Sequence, residues 1–296
     1  MLSPQPNRIP YMPSKLLNNN LLVRSLSGAV FVAVVAGATL LSPWTFGVLL
    51  TVVTAGCLWE FYKLATAGGA EPQKWFGMAL GVALVAGGWL ASLTNSYIPL
   101  AAAIVVLPLI FVVLVAELYR KKEKPLLNVA ATLMGLLYVA LPLLLFYFIA
   151  NRSDDGVSLY RPWEAMTYFI IVWANDTGAY LVGVAFGRHR LMERISPKKS
   201  WEGFWGGMVL AVAVAFFAAC MMGFDSPRER LVYAGLGLMI AVTGVFGDLV
   251  ESMFKRSVGV KDSGSMMPGH GGWLDRFDAL LLSLPFAFIY YLIFMS

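Results

Sequence analysis

A polytopic, all-α integral membrane protein of about nine transmembrane helices, with its amino terminus in the cytoplasm, is the fold class this sequence predicts. Three observations predict it. Hydrophobic residues make up 59% of the 296 residues and charged residues only 13%, with a mean hydropathy of +0.72. A soluble domain has roughly 45–50% and about 25%, and so few charges cannot cover a water-facing shell. The apolar residues fall into continuous runs near the ~20 residues that cross a bilayer as a helix, the one open structure lipid permits. The cations lie between those runs, on alternate sides.

Taken in order, the first 24 residues are polar and contain Pro and Asn, without the layout of a signal peptide. They read as an uncleaved, poorly ordered tail. Nine runs follow: Ser25–Leu41, Trp44–Tyr62, Trp75–Leu93, Pro99–Leu118, Leu126–Ala150, Trp163–Phe186, Gly203–Gly223, Leu231–Val250 and Ala279–Met295. Ser42-Pro43-Trp44 divides the first two, since Pro and Ser punctuate helices. With the amino terminus inside, the inner segments hold eighteen Lys and Arg, and the outer ones only Arg152, Arg161, Arg228 and Arg230. That is a positive-inside signature for an odd number of helices. The net charge of +5 therefore reads as topology, and no nucleic-acid partner is expected. Cys57 and Cys220 sit in apolar runs, where they read as small buried hydrophobes. The chain divides into the tail, an amino-terminal membrane region over 25–150 and a carboxy-terminal region over 151–296. The latter carries cytoplasmic loops at 187–202 and 251–275, polar and rich in Gly and Pro, where function should concentrate.

Asp176, Asp248, Asp275 and Asp278 lie inside or at the end of apolar runs. A carboxylate at that depth is costly and normally faces a partner or a polar cavity. Asp248 ends the eighth run, and Asp275 and Asp278 lie three apart at the start of the ninth. Hard oxygens from both helix ends suit Mg²⁺; the plainer reading is helix capping, or ion pairs with Lys255, Arg256 and Arg276. Metal binding is the favoured reading for Asp248 and Asp275, and Asp278 is balanced between the two. Asp248, Glu251, Ser252 and Lys255 share one helical face if the helix continues past the membrane; spacing alone favours a solvated helix end. The loop 259–272 contains Lys261, Asp262, His270, Gly271 and Gly272, either a phosphate cradle or a flexible connection. Lys198, Lys199 and Ser200 precede the seventh run. Ser200 can cap that helix, and adjacent lysines at a helix amino terminus make an anion site, although positive-inside flanking explains them as well. Asn175-Asp176 line a cavity or form a helix–helix hydrogen bond. His189 reads as facing lipid headgroups.

The stretch Ser252–Asp278, with Ser252, Lys255-Arg256, Lys261-Asp262, His270-Gly271-Gly272 and a closing Asp275-Arg276-x-Asp278, closely resembles the signature of the phosphatidate cytidylyltransferases. Ser-Pro-Lys-Lys-Ser-Trp-Glu-Gly from Ser196, and Asn-Asp-x-x-Ala-Tyr from Asn175, also look like that family. The resemblance implies conversion of CTP and phosphatidic acid to CDP-diacylglycerol and pyrophosphate, with Mg²⁺ and room for a second, monovalent or divalent, cation. It implies a homodimer in the inner cell membrane, with the site on the cytoplasmic side. Asp248 and Asp275 would hold the metal. Lys199, Lys255, Arg256, Lys261, Asp262, His270 and Arg276 would form the catalytic set, and Asn175, Asp176, Lys198, Ser200, Ser252, Gly271, Gly272 and Asp278 would bind substrate. The competing readings are a CTP-dependent polyprenol or phytol kinase and, more remotely, a membrane transporter.

Overall fold

Capping chemistry punctuates the apolar runs. In the computed structural model, which describes residues 14–93, 98–154, 157–266 and 271–295, α1 (Ser14–Leu41) stops at Ser42 and α2 (Pro43–Ala67) begins at the next residue. Ser42 Oγ accepts the Thr45 N–H and Thr45 Oγ1 accepts the Ser42 N–H, both at 3.1 Å, while Pro43 fills a first-turn position that needs no donor. Ser226, Pro227 and Glu229 repeat the device at the start of α9 (Pro227–Ser257). Between α2 and α9 run α3 (Lys74–Leu93), α4 (Ile98–Arg120), α5 (Pro125–Gly135), α6 (Leu141–Ala150), α7 (Pro162–Phe186) and α8 (Trp201–Met221); α10 (Leu274–Phe294) follows α9. A π-helical turn, Leu136–Ala140, joins α5 to α6. Pro142 has no N–H to donate to the preceding turn, and the widened turn absorbs that loss.

Among the described residues, six helical segments are long and apolar enough to cross a membrane: Pro43–Ala67, Pro125–Ala150, Pro162–Phe186, Trp201–Met221, Pro227–Ser257 and Leu274–Phe294. Shorter apolar stretches cover Ser25–Leu41 and Lys74–Leu90. Large apolar side chains such as Val209, Phe217 and Leu231 point outward from these helices, as lipid contact requires. The chain is an integral membrane protein, helical in every segment with the length and apolarity to span.

The fold is all-α, as expected, with two short hairpins added: β1 (Asn151–Asp154) pairs antiparallel with β2 (Val157–Tyr160), and β3 (Arg190–Met192) with β4 (Ser196–Ser200). Helix limits differ from the expected ones. Helix α1 begins at Ser14, so part of the expected tail is helical. Helix α9 runs seven residues past the predicted end of its apolar run, and α10 starts five residues before its own. Hydropathy marks where a helix leaves lipid, whereas backbone hydrogen bonding and caps set where it ends.

Small residues bring the site-bearing helices together. Helix α7 packs on α8, α8 on α9 and α9 on α10. A Cβ at Gly178 would stand 2.8 Å from the carbonyl oxygen of Gly206, and one at Gly247 would stand 3.0 Å from Ala279 Cα. Lipid supplies no hydrophobic drive between helices, so close backbone approach of this kind holds them. A continuous buried core then joins the two halves. Phe146 packs on both Phe46 and Tyr168, and the Tyr168 hydroxyl lies 2.7 Å from Ser283 Oγ on α10.

Candidate active site

Lys199, on β4, brings its Nζ to 2.6 Å from Asp248 Oδ2 on α9. The two polar segments singled out in the sequence therefore meet. One turn beyond Asp248, Ser252 Oγ donates to Asp248 Oδ1 at 3.1 Å. A further turn on, the Lys255 ammonium pairs with Glu251 of its own helix and, at 2.6 Å, with Asp275 Oδ1 on α10. Glu251, Ser252 and Lys255 are 0%, 8% and 9% exposed. The solvated-end reading of this face thus gives way to a buried polar seam between α9 and α10. Glu251 Oε1 has no hydrogen-bond partner among the described residues.

Asp278 sits one turn after Asp275. Its Oδ1 accepts the Ala279 N–H at 2.7 Å, and the carboxylate lies within electrostatic range of Asp248, Glu251 and Asp176. Asp176 and Asn175 come from α7. With Lys198, Lys199, Ser200 and Asp248 they form the polar part of a cavity of about 380 Å³, whose remaining wall includes Tyr180, Val184, Leu191 and Phe204. Asn175 is buried, with its Oδ1 unpartnered among the described residues. A cavity lined by fixed cations and carboxylates as well as lipid-compatible side chains suits a ligand with a charged head and an apolar tail. Asp176 and Asp248 share this cavity as hard oxygen donors, the ligand type taken by a Mg²⁺ ion that keeps waters and binds substrate phosphates. Among the described residues, no three His, Cys, Asp or Glu side chains alone enclose a metal ion.

The other expected residues divide. Ser200 accepts the Gly203 N–H at 3.1 Å and so caps α8, as its position suggested, with no reciprocal partner at Gly203. Asp275, expected as a metal ligand, gives both oxygens to the chain. Oδ1 accepts from Lys255; Oδ2 accepts from the Ser263 and Gly272 N–H groups at 3.0 and 2.7 Å and lies 3.0 Å from Ser263 Oγ. Two N–H groups of the expected phosphate cradle therefore point at Asp275. Gly271 supplies the positive φ, +82°, that this turn needs. Arg256 is exposed and donates to the Val260 carbonyl at 3.2 Å. Lys261, Asp262 and Arg276 are exposed, outside the cavity lining. His270 lies outside the described residues. His189 Nδ1 sits 2.7 Å from Glu202 Oε1, pinning the β3–β4 hairpin to α8; it was expected only to face headgroups.

Two contributors escaped the sequence reading. Ser263 bridges to Asp275, and Glu60, from α2, accepts hydrogen bonds from Ser263 Oγ and the Leu274 N–H. Glu60 falls inside the apolar run Trp44–Tyr62, and the cost of a carboxylate at that depth is the signal that could have found it.

Residues 22–294 match the cytidylyltransferase family. The chain is 39% identical over 175 residues to the phosphatidate cytidylyltransferase of Staphylococcus aureus (strain COL), an alignment covering 59% of this chain and 64% of that protein. It is 37% identical to that of Bacillus subtilis (strain 168), over 65% of this chain and 67% of the relative. A phosphatidate cytidylyltransferase of Synechocystis sp. aligns over 90% of this chain and 95% of its own length at 30% identity. The chain thus spans just under two thirds of the staphylococcal relatives and nearly all of the cyanobacterial one.

Proposed function

This chain belongs to the cytidylyltransferase family, and on that premise we propose that it transfers the cytidylyl group of CTP to phosphatidic acid, giving CDP-diacylglycerol and pyrophosphate. The observation that carries the reading is the amphipathic cavity, lined by Lys198, Lys199, Asp176 and Asp248 together with Tyr180, Val184 and Phe204. A lipid phosphate can be seated there with its chains toward the bilayer.

The chemistry asks little of a general base. The attacking oxygen belongs to a phosphomonoester whose second pKa is about 6, so it is already anionic near neutral pH. It forms a bond to the α-phosphorus of CTP as the bond to the β-phosphate oxygen breaks, and pyrophosphate leaves with that electron pair. The barrier lies in bringing two polyanions together and in the charge gathering on the leaving group. Lys198 and Lys199, beside the amino terminus of α8, supply fixed positive charge for both. Mg²⁺, when bound, would neutralise phosphate charge. Asp248 is its first ligand in this reading, with Asp176 and Asp278 beside it. Asp275 is reassigned to holding Lys255 and the loop in register. The exposed Arg256, Lys261 and Arg276 are placed to meet the nucleotide phosphates on approach. The protein works as a homodimer with nine spans and its amino terminus inside, its site opening to the cytoplasm at the inner membrane.

Purified protein in detergent, given CTP labelled in its α-phosphate, Mg²⁺ and phosphatidic acid, is expected to place label in CDP-diacylglycerol and release unlabelled pyrophosphate. Label released as CDP, with a phosphorylated lipid alcohol formed when a polyprenol is supplied, would replace this reading with a kinase.

A further inference from the structure

Helix α10 carries Asp275, Arg276 and Asp278, yet its own sequence gives it no amino-terminal cap. Trp273 occupies the cap position in helical conformation, and its side chain accepts nothing. The first N–H groups of a helix need partners. At Leu274 that partner comes from the other half of the chain: Glu60 Oε2, on α2, accepts the Leu274 N–H at 2.9 Å across 214 residues of sequence. The same oxygen accepts the Ser263 hydroxyl at 2.6 Å. Ser263 in turn lies 3.0 Å from Asp275 Oδ2 by both its N–H and its Oγ. Glu60 is 4% exposed, and its negative charge at the start of α10 is favoured by the helix dipole.

The loop is shaped around this carboxylate. A Cβ at Gly264 would fall 2.6 Å from the Glu60 carboxyl carbon, and one at Gly272 would fall 2.5 Å from it. Both are separations that heavy atoms do not adopt without displacement. A side chain at either glycine would push the Glu60 carboxylate out of these contacts.

We propose that Glu60 is a positioning residue: a borrowed cap from the amino-terminal half that fixes the Ser263–Gly264 turn and the first turn of α10, and thereby the Lys255–Asp275 pair and Asp278, in working geometry. It makes no contact with substrate in this role. Its kinetic consequence rests on the reading given under Proposed function; its structural consequence does not.

The test uses the full chain purified in detergent, with Glu60→Ala, Glu60→Gln and Ser263→Ala beside the wild type. Two readouts are taken: amide hydrogen exchange in peptides covering Ser263 and Leu274, and turnover of CTP and phosphatidic acid per folded molecule. Glu60→Ala is expected to speed exchange at the start of α10 and to lower turnover roughly 10- to 100-fold, the scale at which displaced supporting groups act. Glu60→Gln keeps an acceptor oxygen and should recover most of that loss. Unchanged exchange, or faster exchange with wild-type turnover, would overturn the proposal. Should Glu60→Ala not fold, Ser263→Ala decides: reduced turnover with intact exchange at Leu274 supports the proposal, and wild-type turnover overturns it. A wild type that makes no CDP-diacylglycerol would sink the assigned reaction alone, because the exchange measurement still decides whether Glu60 holds α10.

Discussion

Asp248 and Asp275 carry the same charge, but their surroundings give them different work. Asp248 is partly open: its side chain is 39% exposed and that of its partner Lys199 25%. An ion pair with that access to water contributes about 0–1 kcal/mol, so both groups are free to exchange their partner for a ligand. Lys199→Ala should therefore leave the thermal midpoint within a degree or two while raising the concentration of CTP or lipid required, or lowering turnover, by about tenfold or more. Steady-state kinetics in both substrates check this, and unchanged kinetics would return Lys199 to a topology charge. Asp275 is closed in: its side chain is 7% exposed and that of Lys255 11%. Removing one partner of a buried pair costs about 3–5 kcal/mol. Asp275→Asn should lower both the thermal midpoint and turnover, while the Mg²⁺ concentration for half-maximal activity of the remaining enzyme stays near that of wild type. A large shift in that Mg²⁺ dependence with unaltered stability would make Asp275 a ligand after all. The sequence reading reached Asp248, Lys199, Ser252 and Lys255 because polar residues in apolar runs are costly and must be explained. It could not tell which carboxylate stays open to solvent and which is closed in, since Ser263 and Gly272 reach Asp275 through a loop fold that no local periodicity encodes.

Among the described residues, each of the six segments able to span falls on a predicted apolar run and is helical, because lipid leaves the backbone no other way to satisfy itself. The hairpin over 190–200 was not legible. Pro197 argues against a strand, and the pairing is fixed instead by contacts at its base, where the Trp201 N–H donates to the His189 carbonyl at 2.9 Å and His189 meets Glu202. That hairpin aims Lys199 at α9, so its position depends on how closely α7 and α8 approach. Gly178→Leu, placing a side chain against the backbone at Gly206 and Gly207, should separate those helices and cut turnover at least tenfold, since ~1 Å of misplacement can cost about 10²-fold. Gly178→Ala should do less. Activity per folded molecule is the measurement, and full activity in the Leu variant would show that α7–α8 spacing does not set the site. At the far end of α9, Ser226→Ala removes a cap worth about 1 kcal/mol and should lower the thermal midpoint by a few degrees with kinetics unchanged.

At the scale of the whole molecule, the charge asymmetry and the meeting of α7, β4, α9 and α10 support the same topology. Both polar segments carry cations, and Lys199 pairs with Asp248 between them. A cysteine introduced at Glu193 should react with a membrane-impermeant maleimide only when the inner face is opened, and one at Arg228 from the outside; the reverse pattern would invert the topology. The amino-terminal half showed only hydropathy in the sequence, yet Glu60 anchors the loop beside the site and Phe46 packs into the shared core. Partners 203 and 214 residues apart leave no local trace. The proposed function requires the cation–carboxylate site at the shared helix ends to perform the transfer. Its most direct test is CDP-diacylglycerol formation by purified Asp248→Asn across a Mg²⁺ titration, with thermal unfolding measured in parallel. The expected result is a folded protein with turnover lost at every Mg²⁺ concentration; near-wild-type turnover would place the chemistry elsewhere.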